Sequence, residues 1–297
     1  MRTDELARER PITLLIRISG YSSILFVTLI LLFLLREGLP ALGMTPISSL
    51  LGTRWYPIEE LYGLWPLLGG SLIVTIGAML IALPLGIGTA VFIAEVAPPW
   101  VNNIVKPLIE ILAGLPSVVL GFIGIQLFVP NLRRIFDLPT GLTAFTGAIL
   151  LGLIAIPTIV SIAEDALNTV PSGYRQAALA LGATRWQTIW GVTLPAARSG
   201  VLTALMLGVG RAIGETMAVM MVTGNAPVMP ALNALFRPAR TMTATIASEM
   251  GEVANGSQHY HVLFFIGIVL FILSLIVNLL ASSVSLRGRK RSERVLS

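Results

Sequence analysis

Six stretches of this chain, at about 12–35, 67–95, 104–129, 142–164, 198–223 and 262–286, are predominantly apolar and long enough to cross a bilayer. A span needs roughly 20 such residues to traverse about 30 Å of hydrocarbon as an α-helix, which satisfies its own backbone polar groups without water. The pattern confines the chain to an all-α polytopic membrane fold. Composition agrees, since 55% of the 297 residues are hydrophobic and 12% are charged, about half the charge of an ordinary soluble domain. So few charges cannot solvate the surface of a soluble enzyme or a nucleic-acid-binding module, and the apolar content excludes a disordered tail.

Charge placement gives the chain a sidedness. Six spans put both termini on one side. Thirteen of the 20 Lys and Arg then share that side: four at the N-terminus (Arg2, Arg8, Arg10, Arg17), Lys106, Arg175, Arg185, Arg198, and five from Arg287 onward. Six face the opposite side, Arg36, Arg54, Arg133, Arg134, Arg237 and Arg240, and Arg211 falls inside span five. The positive-inside rule therefore puts both termini and the 165–197 segment in the cytoplasm. The basic tail is this orientation signal with lipid-headgroup contact, rather than a nucleic-acid site. Although basic residues precede the first span, as in a signal peptide, Leu34-Leu35-Arg36-Glu37 offers no small-residue cleavage site, so an uncleaved first helix is expected. The expected organisation is an N-terminus with the first helix over 1–36, an outer loop over 37–66, a five-helix core over 67–286 and a basic tail over 287–297. Pro84 and Pro116, in Gly-rich surroundings, predict kinks in spans two and three.

The 165–197 segment carries the most local detail. Ser172 is placed to cap a short Ala/Leu-rich helix that stops at Gly182. Thr184 is placed to cap a second helix bearing Trp186, Ile189 and Trp190, and Pro195 turns the chain into span five. Apolar and aromatic side chains exposed on a helix–Gly–helix element suit a groove on a partner protein, or else an interfacial helix lying on lipid.

The spacing Gln176-Ala177-Ala178, Gly182 and Leu194-Pro195 resembles the EAA loop of ABC-importer permeases, in which Glu-Ala-Ala is followed by Gly and then by Ile-x-Leu-Pro. Gln176 stands in place of Glu and Val192 in place of Ile, which keeps shape but removes a salt bridge from that position. Four further stretches, 94–98, 110–119, 210–219 and 240–252, are similar to the phosphate-importer permeases of this family, the PstC-like ones more than the PstA-like ones. The resemblance covers about 65–285. It implies a type I ABC-importer permease fold in the inner membrane, a coupling helix that docks into an ATP-binding subunit dimer, a heterodimer with a PstA-like permease, and an extracytoplasmic phosphate-binding protein that delivers substrate. The coupling residues it implies are Tyr174, Arg175, Gln176, Ala177, Ala178, Gly182, Leu194 and Pro195. Sulfate, molybdate and phosphonate are the alternative oxyanions, and a secondary transporter is the remaining alternative.

Charges inside the membrane are the candidate substrate site. Arg211 lies in span five with Glu215 one turn later and Thr216 beside it. A central charge costs about 2.5–3.5 kcal/mol on insertion scales, so both groups need a partner or a wet cavity. Either Arg211 lends a fork-shaped guanidinium to an oxyanion path, with Glu215 neutralising it between substrates, or the two form a structural ion pair. Gly210 and Gly214 permit close approach beside them. Lys106 and Glu110, spaced i, i+4, are expected to pair; Glu95, Glu164 and Asp165 are expected to reach water at span ends; Glu249 and Glu252 are expected to be solvated; and Thr241, Thr243, Thr245 and Ser248 supply hydroxyls near the outer mouth. His259 and His261 alone make a poor metal site. With no cysteine there is no thiolate or disulfide, and neither Lys106 nor Lys290 sits in a P-loop. No cofactor is implied, and ATP hydrolysis is expected on a separate chain.

Overall fold

The computed structural model describes residues 2–229 and 233–293, with side chains described for 13–229 and 233–280. The side chains of Arg2, Arg8, Arg10 and the basic tail therefore lie outside the described residues. In chain order the elements are α1 (Arg2–Gly38), α2 (Ala41–Met44), α3 (Ile47–Leu50), the hairpin strands β1 (Trp55–Tyr56) and β2 (Leu61–Tyr62), α4 (Trp65–Val91) and α5 (Pro99–Gly114). They continue as α6 (Ser117–Ile123), α7 (Val129–Ile135), α8 (Ala144–Asn168), α9 (Ser172–Ala180), α10 (Arg185–Thr188), α11 (Leu194–Gly214), α12 (Met217–Val222), α13 (Met242–Glu249) and α14 (Gln258–Glu293). Single π turns occupy Phe92–Val96, Gly124–Phe128 and Ile189–Thr193. Among the described residues six helical segments are long and apolar enough to cross a membrane: Thr13–Met44, Trp65–Val96, Ser117–Ile135, Ala144–Asn168, Arg185–Gly214 and Gln258–Leu280.

Small residues set the packing. Helices surrounded by lipid gain little from burying apolar surface, so close dispersion contact must hold them together. α8 is the most buried span and packs against both α4 and α11. Ile159 of α8 is fully buried between two glycines. A methyl group at Gly86 would lie 2.7 Å from Ile159 Cγ2, and one at Gly208 would lie 2.5 Å from its Cγ1. Val74, Ala78, Ala82, Leu151 and Ala155 continue the same core.

The first span runs on to Met44 rather than ending near residue 35, and spans three and five differ most from expectation. Span three is not one kinked helix over 104–129. The chain leaves the helix at Leu115 (φ −67°, ψ 134°), and the membrane segment starts at Ser117. Pro116 causes this, because its ring clashes with a helical residue before it and it supplies no N–H. α5 is thereby left as a separate amphipathic helix with Trp100, Ile104, Leu108 and Ile111 exposed. Pro84, by contrast, is accommodated inside a continuous α4. Span five begins earlier than expected, at Arg185, and ends at Gly214.

At the end of the bundle away from α9, the hairpin packs on α13 and the start of α14. Glu249, expected to be solvated, is instead three-quarters or more buried and fully engaged. Its Oε1 accepts from Trp55 Nε1 (3.1 Å) and pairs with Arg240 Nη2 (2.7 Å), and its Oε2 meets His259 Nε2 at 2.8 Å. A carboxylate here is retained because three donors replace its water. Glu252 is exposed, as expected. The segment leading into α13 also seats on α4, where Ser71 Oγ accepts from Met242 N (3.0 Å) and Gly70 lies under the Arg240 carbonyl.

Gly70→Ala puts a methyl onto the Arg240 carbonyl oxygen, so it lowers stability by about 1–3 kcal/mol, whereas Gly88→Ala, which meets nothing within 4 Å, is neutral; thermal unfolding of the purified protein in detergent separates them. Burial pushes the Glu249 carboxyl up, but the His259 and Trp55 hydrogen bonds and the Arg240 charge outweigh it and hold its pKa below the ordinary value. The stabilisation is present above the unfolded carboxylate pKa of about 4.3 and is lost as pH falls through the lower folded value. Glu249→Gln should therefore unfold more easily than the parent at pH 7, by about 1.5–3 kcal/mol, with the gap closing below pH ~4.

Candidate functional site

The segment after α8 folds largely as its residues dictate. α9 ends in a Schellman motif, with Ala183 N donating to Ala178 O (3.1 Å), Gly182 N to Leu179 O (3.0 Å), and Gly182 in the left-handed region at φ +84°. Thr184 forms a capping box with Gln187 in front of α10. Ser172, however, is the first helical residue, and Pro171 occupies the N-cap without a side-chain bond. Pro171 fixes its own extended backbone (φ −56°, ψ 134°), which leaves Ser172 no non-helical position to cap from. Trp186 and Trp190 meet edge to face at 6.3 Å and, with Phe92, Val96 and Leu194, line an apolar groove of about 650 Å³. Tyr174, Gln176, Ala177 and Leu179 are exposed, and Leu181 is 90% exposed. Leu194 and Pro195 lie within the first turn of α11.

Arg175 faces the other way. Its Nε and Nη2 grip Glu95 (2.6–3.2 Å), Nη2 also donates to Leu167 O (2.8 Å), and Nη1 donates to Val170 O (2.7 Å). Glu95, expected to reach water, is thus buried against a guanidinium. Glu164 is likewise buried and not water-facing. It accepts from Lys106 Nζ (3.2 Å) and from Asn168 Nδ2 (3.3 Å). Lys106 therefore pairs with Glu164 rather than with Glu110, which remains exposed. A buried carboxylate needs the ammonium more than a hydrated one does. The hydrogen bond to Glu164 and its charge hold the Lys106 pKa above its ordinary value. Asp165 stays exposed.

Arg211 and Glu215 do not pair. α11 stops at Gly214, and Glu215 turns extended (φ −69°, ψ 127°), so the helical i, i+4 register between them is lost. Glu215 Oε1 accepts from Thr216 N (3.2 Å) and Ala218 N (3.3 Å), serving the free N–H groups at the start of α12. Thr216 Oγ1 donates to Gly214 O (3.2 Å), and Thr243 Oγ1 donates to Glu215 O (3.2 Å), which brings α13 to the break. Arg211 is exposed, and its Nη1 donates to Thr158 Oγ1 at 3.3 Å. Among the described residues no carboxylate lies within ion-pairing distance of it. Space is open at Gly210 and Gly214. Arg211, Glu215 and Thr216 thus share one break in the bundle, joined by Thr158 and Thr243. Thr158 had a sequence signal, a hydroxyl after Pro157 in an otherwise apolar span, but its partner lies 53 residues away in the chain.

Residues 82–290 match the family of binding-protein-dependent transport system inner membrane components. The chain is 42% identical over 249 residues to a probable ABC transporter permease protein, YqgH, of Bacillus subtilis, covering 83% of this chain and 80% of that protein. It is 35% identical to the phosphate transport system permease protein PstC of Xylella fastidiosa, covering 86% of this chain and 84% of the relative. Identity to the probable PstC of Methanocaldococcus jannaschii is 34%, covering 86% and 87%. Among solved structures, an inward-facing MetNI methionine ABC transporter chain superposes with a TM-score of 0.57 at 20% identity, covering 79% of this chain and 99% of that one. A bacterial alginate ABC transporter chain superposes with a TM-score of 0.59 at 17% identity, covering 90% and 93%. With the spans, the loop after span four and these likenesses together, the chain belongs to the binding-protein-dependent transport system inner membrane components, among their PstC-like members.

Proposed function

We propose that this chain is the PstC-type permease subunit of an ATP-driven phosphate importer, forming the translocation path with a PstA-like permease. It is a transport subunit, and ATP is hydrolysed on a separate subunit dimer that receives α9 on the cytoplasmic side, where both termini also lie. An extracytoplasmic binding protein delivers phosphate to the opposite face. The observation that carries this reading is Arg211, an exposed guanidinium in an apolar span, bonded to a hydroxyl and with no carboxylate in reach among the described residues.

The chemistry of each group fits its role. A guanidinium presents several N–H donors in one plane and can hold two oxygens of a phosphate at once. A fixed positive charge also repels cations. Glu215 does not cancel that charge but holds the break open, by accepting the N–H groups that a continuous helix would have satisfied. Thr216 lies in the same break. Phosphate is held by few groups in a wet site, so release stays fast. On the cytoplasmic side Tyr174, Gln176, Ala177, Ala178 and Leu181 present the surface for the ATPase, with Gly182 supplying the turn between the two short helices.

In vesicles reconstituted with both permeases, the ATPase and the binding protein, Arg211→Ala should reduce phosphate uptake to background while all subunits remain assembled; uptake at the parental rate would remove Arg211 from the path. In the parent complex, excess sulfate should leave labelled-phosphate uptake unchanged, and equal inhibition would move the reading to a general oxyanion importer. Leu181→Asp puts a charge on the most exposed apolar side chain of the loop and should weaken ATPase association at least tenfold, about 1.4 kcal/mol, measured by co-purification across a concentration series.

A further inference from the structure

One side chain of α9, Arg175, ties it by hydrogen bonds to the ends of two spans. The planar guanidinium of Arg175 makes five hydrogen bonds at once. It reaches Glu95 at the end of span two through Nε and Nη2, and Leu167 and Val170 at the end of span four through their carbonyls. The side chains are 22% and 9% exposed, so water competes poorly for these bonds. Rotation of the guanidinium would break several bonds together, which makes the junction stiff in every direction. Glu95 sits on the π turn Phe92–Val96, a departure from α-geometry that turns its carboxylate toward α9 and that recurs at functional positions in helices. Gln176 and Ala177, which follow Arg175 on other faces of α9, are exposed.

We propose that Arg175 and Glu95 are positioning residues that make α9, the end of span two and the end of span four one rigid block, so that an ATP-driven displacement of α9 moves both spans together. The inference rests on the importer reading above and gives it a transmission. Both connections lead toward Arg211. Along α8, Leu167 lies nine residues, roughly 14 Å, from Thr158, the hydroxyl that Arg211 contacts. Along span two, Glu95 lies nine residues, again roughly 14 Å, from Gly86, which packs on Ile159 next to Thr158. Without Glu95, α9 would lose its hydrogen-bonded link to span two and keep those to the end of span four.

The chain has no cysteine, so two introduced ones report on this junction directly. Gly173→Cys on α9 and Leu85→Cys on span two, both exposed, are spin-labelled in the assembled importer, and their separation is measured without nucleotide and in an ATP-trapped state. With Arg175 and Glu95 intact, the separation should stay within about 2 Å between the states, the scale of a helix shift. With Glu95→Gln it should change by more than that. In the same variant, phosphate taken up per ATP hydrolysed should fall at least tenfold, with subunit content and basal ATP hydrolysis unchanged, and Glu95→Asp should recover most of the loss. A change in separation with the pair intact overturns the inference whatever the variant does, as does parental uptake per ATP in Glu95→Gln. A parent complex that binds no ATPase or takes up no phosphate instead overturns the importer reading, so the two failures are distinct.

Discussion

The seating of α8 against α4 and α11 is the contact on which the other elements depend. Ile159 occupies the space that Gly86 and Gly208 leave by having no side chain, so three helices approach more closely than any other residue would allow. In a bilayer this contact has no substitute, because lipid tails solvate apolar side chains as well as a neighbouring helix does. Van der Waals attraction falls away within an ångström of a gap, and the glycines remove that gap. α8 then carries at fixed heights the groups that meet other elements: Thr158 beside the packed isoleucine, Glu164 six residues on, and the carbonyls of Leu167 and Val170 at and beyond its end.

Charged groups close the two ends of the bundle in the same physical way. Taking a carboxylate from water costs several kcal/mol unless donors replace the lost hydration. Glu95, Glu164 and Glu249 each meet that requirement with partners from a different part of the chain: Arg175, Lys106, and the Trp55, Arg240 and His259 set. Each carboxylate therefore ties distant segments together. At the α9 end the ties join spans two and four to α9 and α5. At the opposite end they lock the hairpin over α13 and the start of α14. The apolar middle holds the helices side by side, and the buried ions fix how their ends are arranged.

The sequence made the spans and the α9–α10 turn legible because both are encoded locally. About twenty apolar residues suffice for a span, and Gly182, Thr184 and Gln187 supply their turn and cap within six positions. What it did not show were pairings set by burial. Helical spacing favours Lys106 with Glu110, yet Glu110 has water and Glu164 has none, so the ammonium goes to the buried acid. The same reasoning explains Glu249, whose partners come from residues 55, 240 and 259. Breaks in helices were less legible. Pro116 marked its position but reads as a kink where it in fact ends the helix, and Gly214–Thr216 contains no proline, so that break shows only when the Glu215 carboxylate is seen bonded to the N–H groups of the next helix.

That break decides the state of Arg211. In a continuous helix Glu215 would lie one turn from the guanidinium and neutralise it, leaving an inert ion pair. Ending the helix at Gly214 turns the carboxylate toward Thr216 N and Ala218 N instead. Among the described residues the positive charge is then uncompensated, and bare exposure to lipid would cost it several kcal/mol. Ala204, Gly208 and Ala212 pack inward, whereas Leu207, Gly210, Arg211 and Gly214 remain exposed on α11, with open space at both glycines. A strip with a lone charge between two glycines suits a second membrane subunit approaching closely around a water-filled path, and suits a lipid tail poorly. On the proposed reading, this chain builds one wall of the path, and the oxyanion itself is the counter-charge that Glu215 is positioned not to supply.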